Sequence, residues 1–169
     1  IYHPDYHGIR LDVYAKGNSK AFNIEMQIQP KHNLPRRTRY YHDQIDMCEL
    51  CPSEGYETLP EAYVIFVCDF DPFGDRKYRY TFEEICKETN RPLQNGRHTI
   101  FLSTKGTMDD VSPEMKRILD YIDGKGASDK FTEELEEAVR SARQNERWRL
   151  DYMTLQQEYR ERFQEGKVE

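Results

Sequence analysis

The carboxylates of Asp12 and Glu25 are candidates for binding a divalent cation. The sequence around them predicts that they face each other on two paired β-strands. Like charges that face each other on paired strands repel, so this pair requires a cation. A hard ion, Mg²⁺ or Mn²⁺, suits oxygen ligands. The alternative on spacing alone is a hairpin with one polar face in solvent and no metal.

Two alternating stretches must position these carboxylates. Apolar and polar residues alternate over residues 9–15 and again over residues 22–29. This period of two predicts half-buried β-strands. Gly17 and Asn18 lie between the strands, and both residue types tolerate the positive φ of a tight hairpin turn.

The length of the turn sets the strand register. A two-residue loop at 18–19, or the four-residue loop around it, places Asp12 opposite Glu25 and Arg10 opposite Gln27. A loop shifted by one residue would leave Asp12 and Glu25 diagonal but still on one face. In either register the two carboxylates are neighbours.

The hairpin motif, Asp12 followed by Glu25-Met26-Gln27, resembles the PD-(D/E)XK nuclease motif with Gln in the last position. From about Gly8 to about Leu155, the chain is similar to the recombination-promoting nuclease / putative transposase family. The segments that carry it are GIRLDVYAK, FNIEMQ, LPRRTRYYHDQID, YVIFVCDFDPFG, YTFEE, TIFLSTKG and WRLDYMTL.

The resemblance implies roles for the residues of the hairpin. Asp12 and Glu25 would hold Mg²⁺ (or Mn²⁺), with the backbone carbonyl of Met26 as a third ligand. Gln27 stands where the family has a Lys that orients the attacking water or stabilises transition-state charge. Because Gln is neutral, we hypothesise that Arg10, opposite Gln27, supplies the missing positive charge.

A basic amphipathic helix is predicted from Arg36 to Leu50, with Tyr41, Ile45 and Cys48 facing inward. Its start is rich in cations and follows Pro35, which suits a first helical turn. Helix N-termini and Arg side chains both favour phosphate groups. The nucleic-acid contacts we expect are Arg36, Arg39, Tyr40 and Gln44; Arg39 and Gln44 are included because the fold that the chain resembles takes auxiliary site residues from this helix. The alternative is a charged face that only contacts solvent.

The remaining elements predict an α/β fold. A continuous apolar stretch at 62–70 is typical of a strand covered on both faces. An edge strand at 78–82, a short helical turn at 83–89, a strand at 98–103 and a helix at 112–122 follow. With the resemblance, they indicate a restriction-endonuclease-like mixed β-sheet flanked by helices.

The C-terminal part predicts a charged helical arm. Residues 129–163 have apolar side chains at helical spacing on an otherwise charged segment. We therefore divide the chain into a nuclease-like core, 1–124, and an amphipathic arm, 125–169. Cutting both DNA strands usually requires two active sites, so a homodimer through this arm is expected.

The net charge of −6 is unusual for a general nucleic-acid binder. Residues 1–42 are nevertheless net positive, and residues 43–169 carry the acidic excess. A mean hydropathy of −0.97 and the lack of a long apolar stretch argue against a membrane span. The absence of a signal peptide predicts a cytoplasmic protein, and the absence of glycine-rich nucleotide motifs predicts no nucleotide cofactor.

Two other groups of residues are weaker candidates. Cys48 and Cys51 form a C-x-x-C motif that could bind zinc, but free thiols in a reducing compartment are favoured. Asp69 and Asp71 lie near the end of the apolar strand, where aspartates usually cap turns.

Two functions fit the sequence. The first is a metal-dependent DNA endonuclease of the recombination-promoting, transposase-associated type. The alternative is a catalytically degenerate nuclease fold that serves as a DNA-binding or protein-interaction module, with the neutral Gln27 as its mark.

Overall fold

The computed structural model describes residues 13–144 of the chain. The chain divides into two units, residues 1–123 and residues 124–169. Within the described residues the elements are β1 (Val13–Gly17), β2 (Lys20–Gln27), α1 (Leu34–Glu49), a 3₁₀ turn (Tyr56–Thr58), β3 (Glu61–Cys68), β4 (Arg79–Phe82), β5 (Arg97–Ser103), α2 (Pro113–Ile122) and α3 (Lys130–Gln144).

The strands form a mixed five-stranded sheet in the order β1-β2-β3-β5-β4. The central strands β2, β3 and β5 are parallel, and β1 and β4 pair antiparallel at the edges. A parallel pair needs a long crossover, and α1 provides it between β2 and β3. The predicted restriction-endonuclease-like α/β fold is confirmed.

The hairpin has the register predicted from its loop. Val13 pairs with Ile24, and Tyr14 pairs with Asn23. Asn18 and Ser19 form the turn with φ of 51° and 58°, the positive values that a type I′ hairpin turn requires. The register is therefore confirmed over the described pairs, whereas Arg10 and Asp12 lie outside the described residues.

The sheet is covered on both faces. Ala62, Val64, Phe66 and Cys68 of β3 belong to a core cluster with residues of α1. Ile65 and Val67 point to the other face, where Leu119 of α2 completes a second cluster. These alternating contacts explain the nearly continuous apolar sequence of β3.

Strand β2 departs from the simple half-buried strand that its alternation predicts. The side chains of Asn23 and Glu25, on its polar face, are buried. Met26 and Ile28, on its apolar face, are 45% and 78% exposed. The reason is that β2 lies inside the sheet with its polar face beneath α1, so tertiary packing overrides hydropathy.

Two local predictions were wrong. Cys48 is exposed rather than inward-facing, because Glu49 is the residue of the last turn of α1 that contacts the sheet, through Tyr14 and Lys16 of β1. Residues 83–89 form no helix; Cys86 N donates to Arg91 O at 2.9 Å, and Ile85 and Pro92 form a β-bridge. Asn90 N also donates to Cys86 O at 2.8 Å, so a single helical turn forms at 86–90 rather than over 83–89.

The helix boundaries follow the expected chemistry. Helix α1 begins at Leu34, with Pro35 in its first turn, slightly before the predicted start. Helix α2 begins after Ser112, whose hydroxyl accepts a hydrogen bond from Met115 N at 3.3 Å. Helix α3 covers the first part of the predicted arm, and residues 145–163 lie outside the described residues. Across positions 13–144, no helix combines the length and apolar character needed to cross a membrane.

Candidate active site

Glu25 is a buried carboxylate at the centre of the polar face of β2. The residue is 3% exposed, because α1 packs over it. A buried carboxylate is unfavourable unless it is paired and hydrogen-bonded. Its oxygen Oε2 accepts a hydrogen bond from Arg37 Nη2 at 3.2 Å and one from the Tyr41 hydroxyl at 3.5 Å. Both partners come from α1.

Arg37 joins the two site residues of β2. Its Nη1 donates to Gln27 Oε1 at 3.0 Å, while Nη2 donates to Glu25. Nη2 and Nε also donate to the Tyr41 hydroxyl, at 2.6 and 3.2 Å. The guanidinium carbon lies 5.3 Å from the ring centroids of Tyr41 and Phe66, within the range of cation–π attraction.

The side-chain amide of Gln27 is held at both ends. Its oxygen accepts from Arg37, and its nitrogen donates to the backbone carbonyl of Met26 at 2.8 Å. This carbonyl is the oxygen that the resemblance assigns to the metal. The contacts therefore connect the proposed water-orienting residue to the proposed metal ligand.

Arg37 is one of several cations at the start of α1 and was not among the residues expected at the site. The signal that identifies it is its spacing: Tyr41 follows Arg37 by one helical turn and was predicted to face inward. An Arg one turn before an inward Tyr lies on the same helix face. The structure places that face over β2.

The four predicted nucleic-acid contacts do not share one environment. Arg36 is exposed in the first turn of α1, and Gln44 is half-buried. Tyr40 packs partly against the main core. Arg39 lines a cleft of about 200 Å³ on another side of the helix, together with His42. Arg39 therefore lies apart from the residues that surround Glu25.

His42 is a buried, neutral residue in that cleft. Burial, with a further contribution from the cation of Arg97, lowers its pKa to about 4. Its Nε2 lies 3.0 Å from Thr99 Oγ1, and its Nδ1 has no hydrogen-bond partner among the described residues. Arg97 is in turn held by Asp43 and Asp46 at 2.8 and 2.6 Å.

Strand β1 is attached to the end of α1 through Glu49. The Tyr14 hydroxyl donates to Glu49 Oε1 at 2.6 Å, and Lys16 forms an ion pair with the same carboxylate. Burial opposes ionisation of Glu49, but the hydrogen bonds from Lys16 and Tyr14 outweigh it and lower the carboxyl pKa. These contacts fix the strand that directly follows Asp12.

Asp69 adjoins the site through its backbone, because its N–H donates to Gln27 O at 2.9 Å, but the side chains of Asp69 and Asp71 have partners elsewhere. Asp71 accepts hydrogen bonds from three backbone N–H groups of the following turn, so its predicted turn-capping role is confirmed. Asp69 forms an ion pair with Lys105 at 2.9 Å, and Lys105 also contacts Asp123 after α2.

The oxygen donors at the site fit a hard divalent cation. The Glu25 carboxylate and the Met26 carbonyl are the ligand types that Mg²⁺ and Mn²⁺ prefer, and Mg²⁺ typically uses one or two carboxylates and retains waters. Positions 13–144 contain no cluster of three or more His, Cys, Asp or Glu residues suited to a metal. The predicted second carboxylate, Asp12, lies outside the described residues.

Comparison with known proteins identifies the family. A family model described as PD-(D/E)XK nuclease family transposase matches residues 3–162. No curated protein and no solved structure matches the chain. The family match covers most of the chain, and it agrees with the mixed sheet that carries Glu25 and Gln27 on β2. The chain belongs to the PD-(D/E)XK nuclease family transposases.

Proposed function

We propose that this chain is a metal-dependent DNA endonuclease of the recombination-promoting, transposase-associated type. The observation that carries the proposal is the buried Glu25 carboxylate, which shares Arg37 with Gln27 on the strand of the family motif. A buried ionisable group with a specific charged partner is typical of functional sites.

The proposed metal ligands are Asp12, Glu25 and the backbone carbonyl of Met26, with Mg²⁺ (or Mn²⁺) as the cation. The hairpin register pairs Val13 with Ile24, and its continuation by one pair would bring Asp12 opposite Glu25. When bound, the cation would lower the pKa of a water molecule and neutralise charge on the phosphate.

The reaction is hydrolysis of a phosphodiester. The oxygen of water forms a bond to phosphorus, the bond from phosphorus to one ester oxygen breaks, and that oxygen leaves as a hydroxyl after taking a proton. Gln27 would orient the attacking water through its amide. The Met26 carbonyl and Arg37 hold that amide in place.

The surface at the start of α1 is the proposed DNA contact. Arg36 is exposed in the first helical turn, where the helix dipole and a guanidinium both attract phosphate. Tyr40 and Gln44 follow at intervals of four residues, so the three lie along one side of the helix. Arg39 would make a separate contact through its own cleft.

We also propose that residues 1–124 form the nuclease core and that residues 125–169 form an arm for homodimerisation. In the described part of the arm, α3 carries Phe131 with 57% of its surface exposed. Phe131 would be one contact of this dimer.

The alternative is a degenerate nuclease fold that binds DNA or protein without cleaving it. The specific observation in its favour is that Glu25 already has a cationic partner, Arg37, in a geometry that stabilises the fold without metal. On this alternative the Arg37–Glu25 pair is structural, and Gln27 marks the loss of catalysis.

Cleavage of supercoiled plasmid with Mg²⁺ or Mn²⁺ tests the proposal. We expect the wild type to cut and Asp12→Ala and Glu25→Ala to be inactive, with Asp109→Asn, an exposed aspartate, as the control. Absence of cutting by the wild type, with metal-independent DNA binding retained, would favour the alternative.

A further inference from the structure

We propose that Arg37 supplies, from helix α1, the positive charge that a lysine at position 27 would otherwise bring to the active site. The inference rests on the proposed nuclease function. It replaces the hypothesis that Arg10 has this role, and it assigns the charge to a residue outside the linear motif.

The first argument is position. Arg37 contacts Gln27 at 3.0 Å and Glu25 at 3.2 Å, so its guanidinium lies beside the residue that replaces the lysine and beside a proposed metal ligand. A cation this close to the site can stabilise negative charge that develops on a bound phosphate. The motif therefore has the neutral residue Gln27, and the cation of Arg37 contacts it directly.

The second argument is rigidity. The guanidinium is hydrogen-bonded to Tyr41 and lies near the rings of Tyr41 and Phe66. Phe66 is itself stacked on Phe101 in the core, with ring centroids 5.3 Å apart. A charge held by a packed core is positioned before the reaction, which is the condition for effective electrostatic stabilisation.

The third argument is chemical. An Arg side chain remains charged at all working pH values, and its planar fork can donate to several acceptors at once. In this site the fork divides its donors among Glu25, Gln27 and Tyr41. A lysine at position 27 would give one point charge, whereas Arg37 gives a charge and also orients the Gln27 amide.

The structure implies opposite effects of Arg37 on metal binding and on cleavage. A guanidinium on the Glu25 carboxylate disfavours a second cation there, because like charges repel. The same guanidinium favours the negatively charged transition state. Arg37→Gln is therefore expected to bind Mn²⁺ severalfold more tightly and to cleave about 10²–10³ times more slowly at saturating metal.

The experiment measures both quantities on the full chain. Calorimetric titration with Mn²⁺ alone gives the metal affinity, and single-turnover plasmid cleavage gives the rate. The variants are Arg37→Gln, Arg37→Met and Arg37→Lys, with Arg10→Gln for comparison. Arg117→Gln, on α2 across the sheet, is the matched control. Arg37→Met preserves much of the apolar stem in case Arg37→Gln does not fold.

The outcomes separate this proposal from the nuclease function itself. Slow cleavage with retained or tighter Mn²⁺ binding, partly rescued in Arg37→Lys, supports the assignment. Full cleavage by Arg37→Gln and Arg37→Met would overturn the assignment and leave the nuclease function intact. Loss of cleavage in Arg10→Gln alone would instead assign the positive charge to Arg10. Weaker Mn²⁺ binding in both Arg37→Gln and Arg37→Met would also overturn the assignment, because Arg37 would then be a structural partner of Glu25. A wild type that does not cut would refute the nuclease function, and this proposal with it.

Discussion

The hydroxyl of Tyr14 on strand β1 donates a 2.6 Å hydrogen bond to Glu49 in the last turn of helix α1. The Glu49 side chain is 8% exposed and also pairs with Lys16, so one carboxylate holds two residues of the edge strand. An edge strand has neighbours on one side only, and this contact supplies a second attachment. The attachment orients the strand that directly follows Asp12.

We expect Glu49→Ala to destabilise the protein by about 1 kcal/mol, because the Tyr14 hydroxyl and Lys16 lose a partner but are exposed and can be hydrated. The free energy of unfolding in urea measures this loss. Because β1 follows a proposed metal ligand, Mn²⁺ affinity should also fall. The control is Glu57→Ala, which removes an exposed glutamate. Equal stability of the two variants would show that the attachment is dispensable.

Divalent metal should stabilise the wild type against heat. A ligand that binds only the folded state at 100 times its Kd contributes about 2.7 kcal/mol, which corresponds to a rise in Tm of several degrees. Mn²⁺ or Mg²⁺ should therefore raise Tm in the wild type and in Asp109→Asn, but not in Asp12→Asn or Glu25→Gln. Thermal melts with and without EDTA make the measurement. An equal rise in all four proteins would place the metal elsewhere.

His42 should make stability fall in mild acid. Its folded-state pKa of about 4 is below the ordinary value of 6.5, because burial, and then Arg97, disfavour the imidazolium. Folding favours the neutral form of His42. Its contribution to the free energy of unfolding is therefore complete above about pH 6.5 and is lost progressively as the pH falls toward 4. The expected loss is about 3 kcal/mol.

Urea unfolding between pH 7.5 and 4.5 tests this linkage. The decline in stability should be smaller in His42→Gln than in the wild type, while His32→Gln, an exposed histidine, should follow the wild type. Parallel curves for the wild type and His42→Gln would show that His42 titrates with an ordinary pKa.

Asn23 is a buried amide whose two polar atoms have no hydrogen-bond partner within residues 13–144. Replacing such a group by an apolar one removes its desolvation cost, about 1–3 kcal/mol. Asn23→Val should therefore raise the free energy of unfolding by about 1–2 kcal/mol, and Val also suits a strand. The measurement is differential scanning calorimetry.

The control for Asn23 is Asn95→Val, because the exposed Asn95 donates to Glu84 at 3.0 Å and should gain nothing. A loss of stability in Asn23→Val would mean that the amide has a partner, such as an ordered water. Cleavage measured on the same variant would show whether this residue, two positions before Glu25, also affects the site.

Local chemistry in the sequence determined much of the fold. The period of two and the turn residues limited the hairpin to two registers, because loop length fixes which residues pair, and the structure has the register with the Asn18-Ser19 loop. The Ser112 cap and Pro113 were enough to place the start of α2. The motif around Glu25 and Gln27 predicted the family only together with the similar segments that extend to about Leu155.

Tertiary structure decided which face of β2 is buried and which cation reaches it. Hydropathy favours burial of Met26 and Ile28, yet Asn23 and Glu25 are the buried residues. The reason is that α1 connects the parallel strands β2 and β3 and crosses the face of the sheet on which Asn23 and Glu25 lie. The choice of Arg37 among the cations at the start of α1 depends on how the helix is rotated over β2, and the packing of Tyr41 and Ile45 against the core sets that rotation. The spacing of residues in the sequence shows which side chains share a face of the helix. Only tertiary packing determines which element each face contacts.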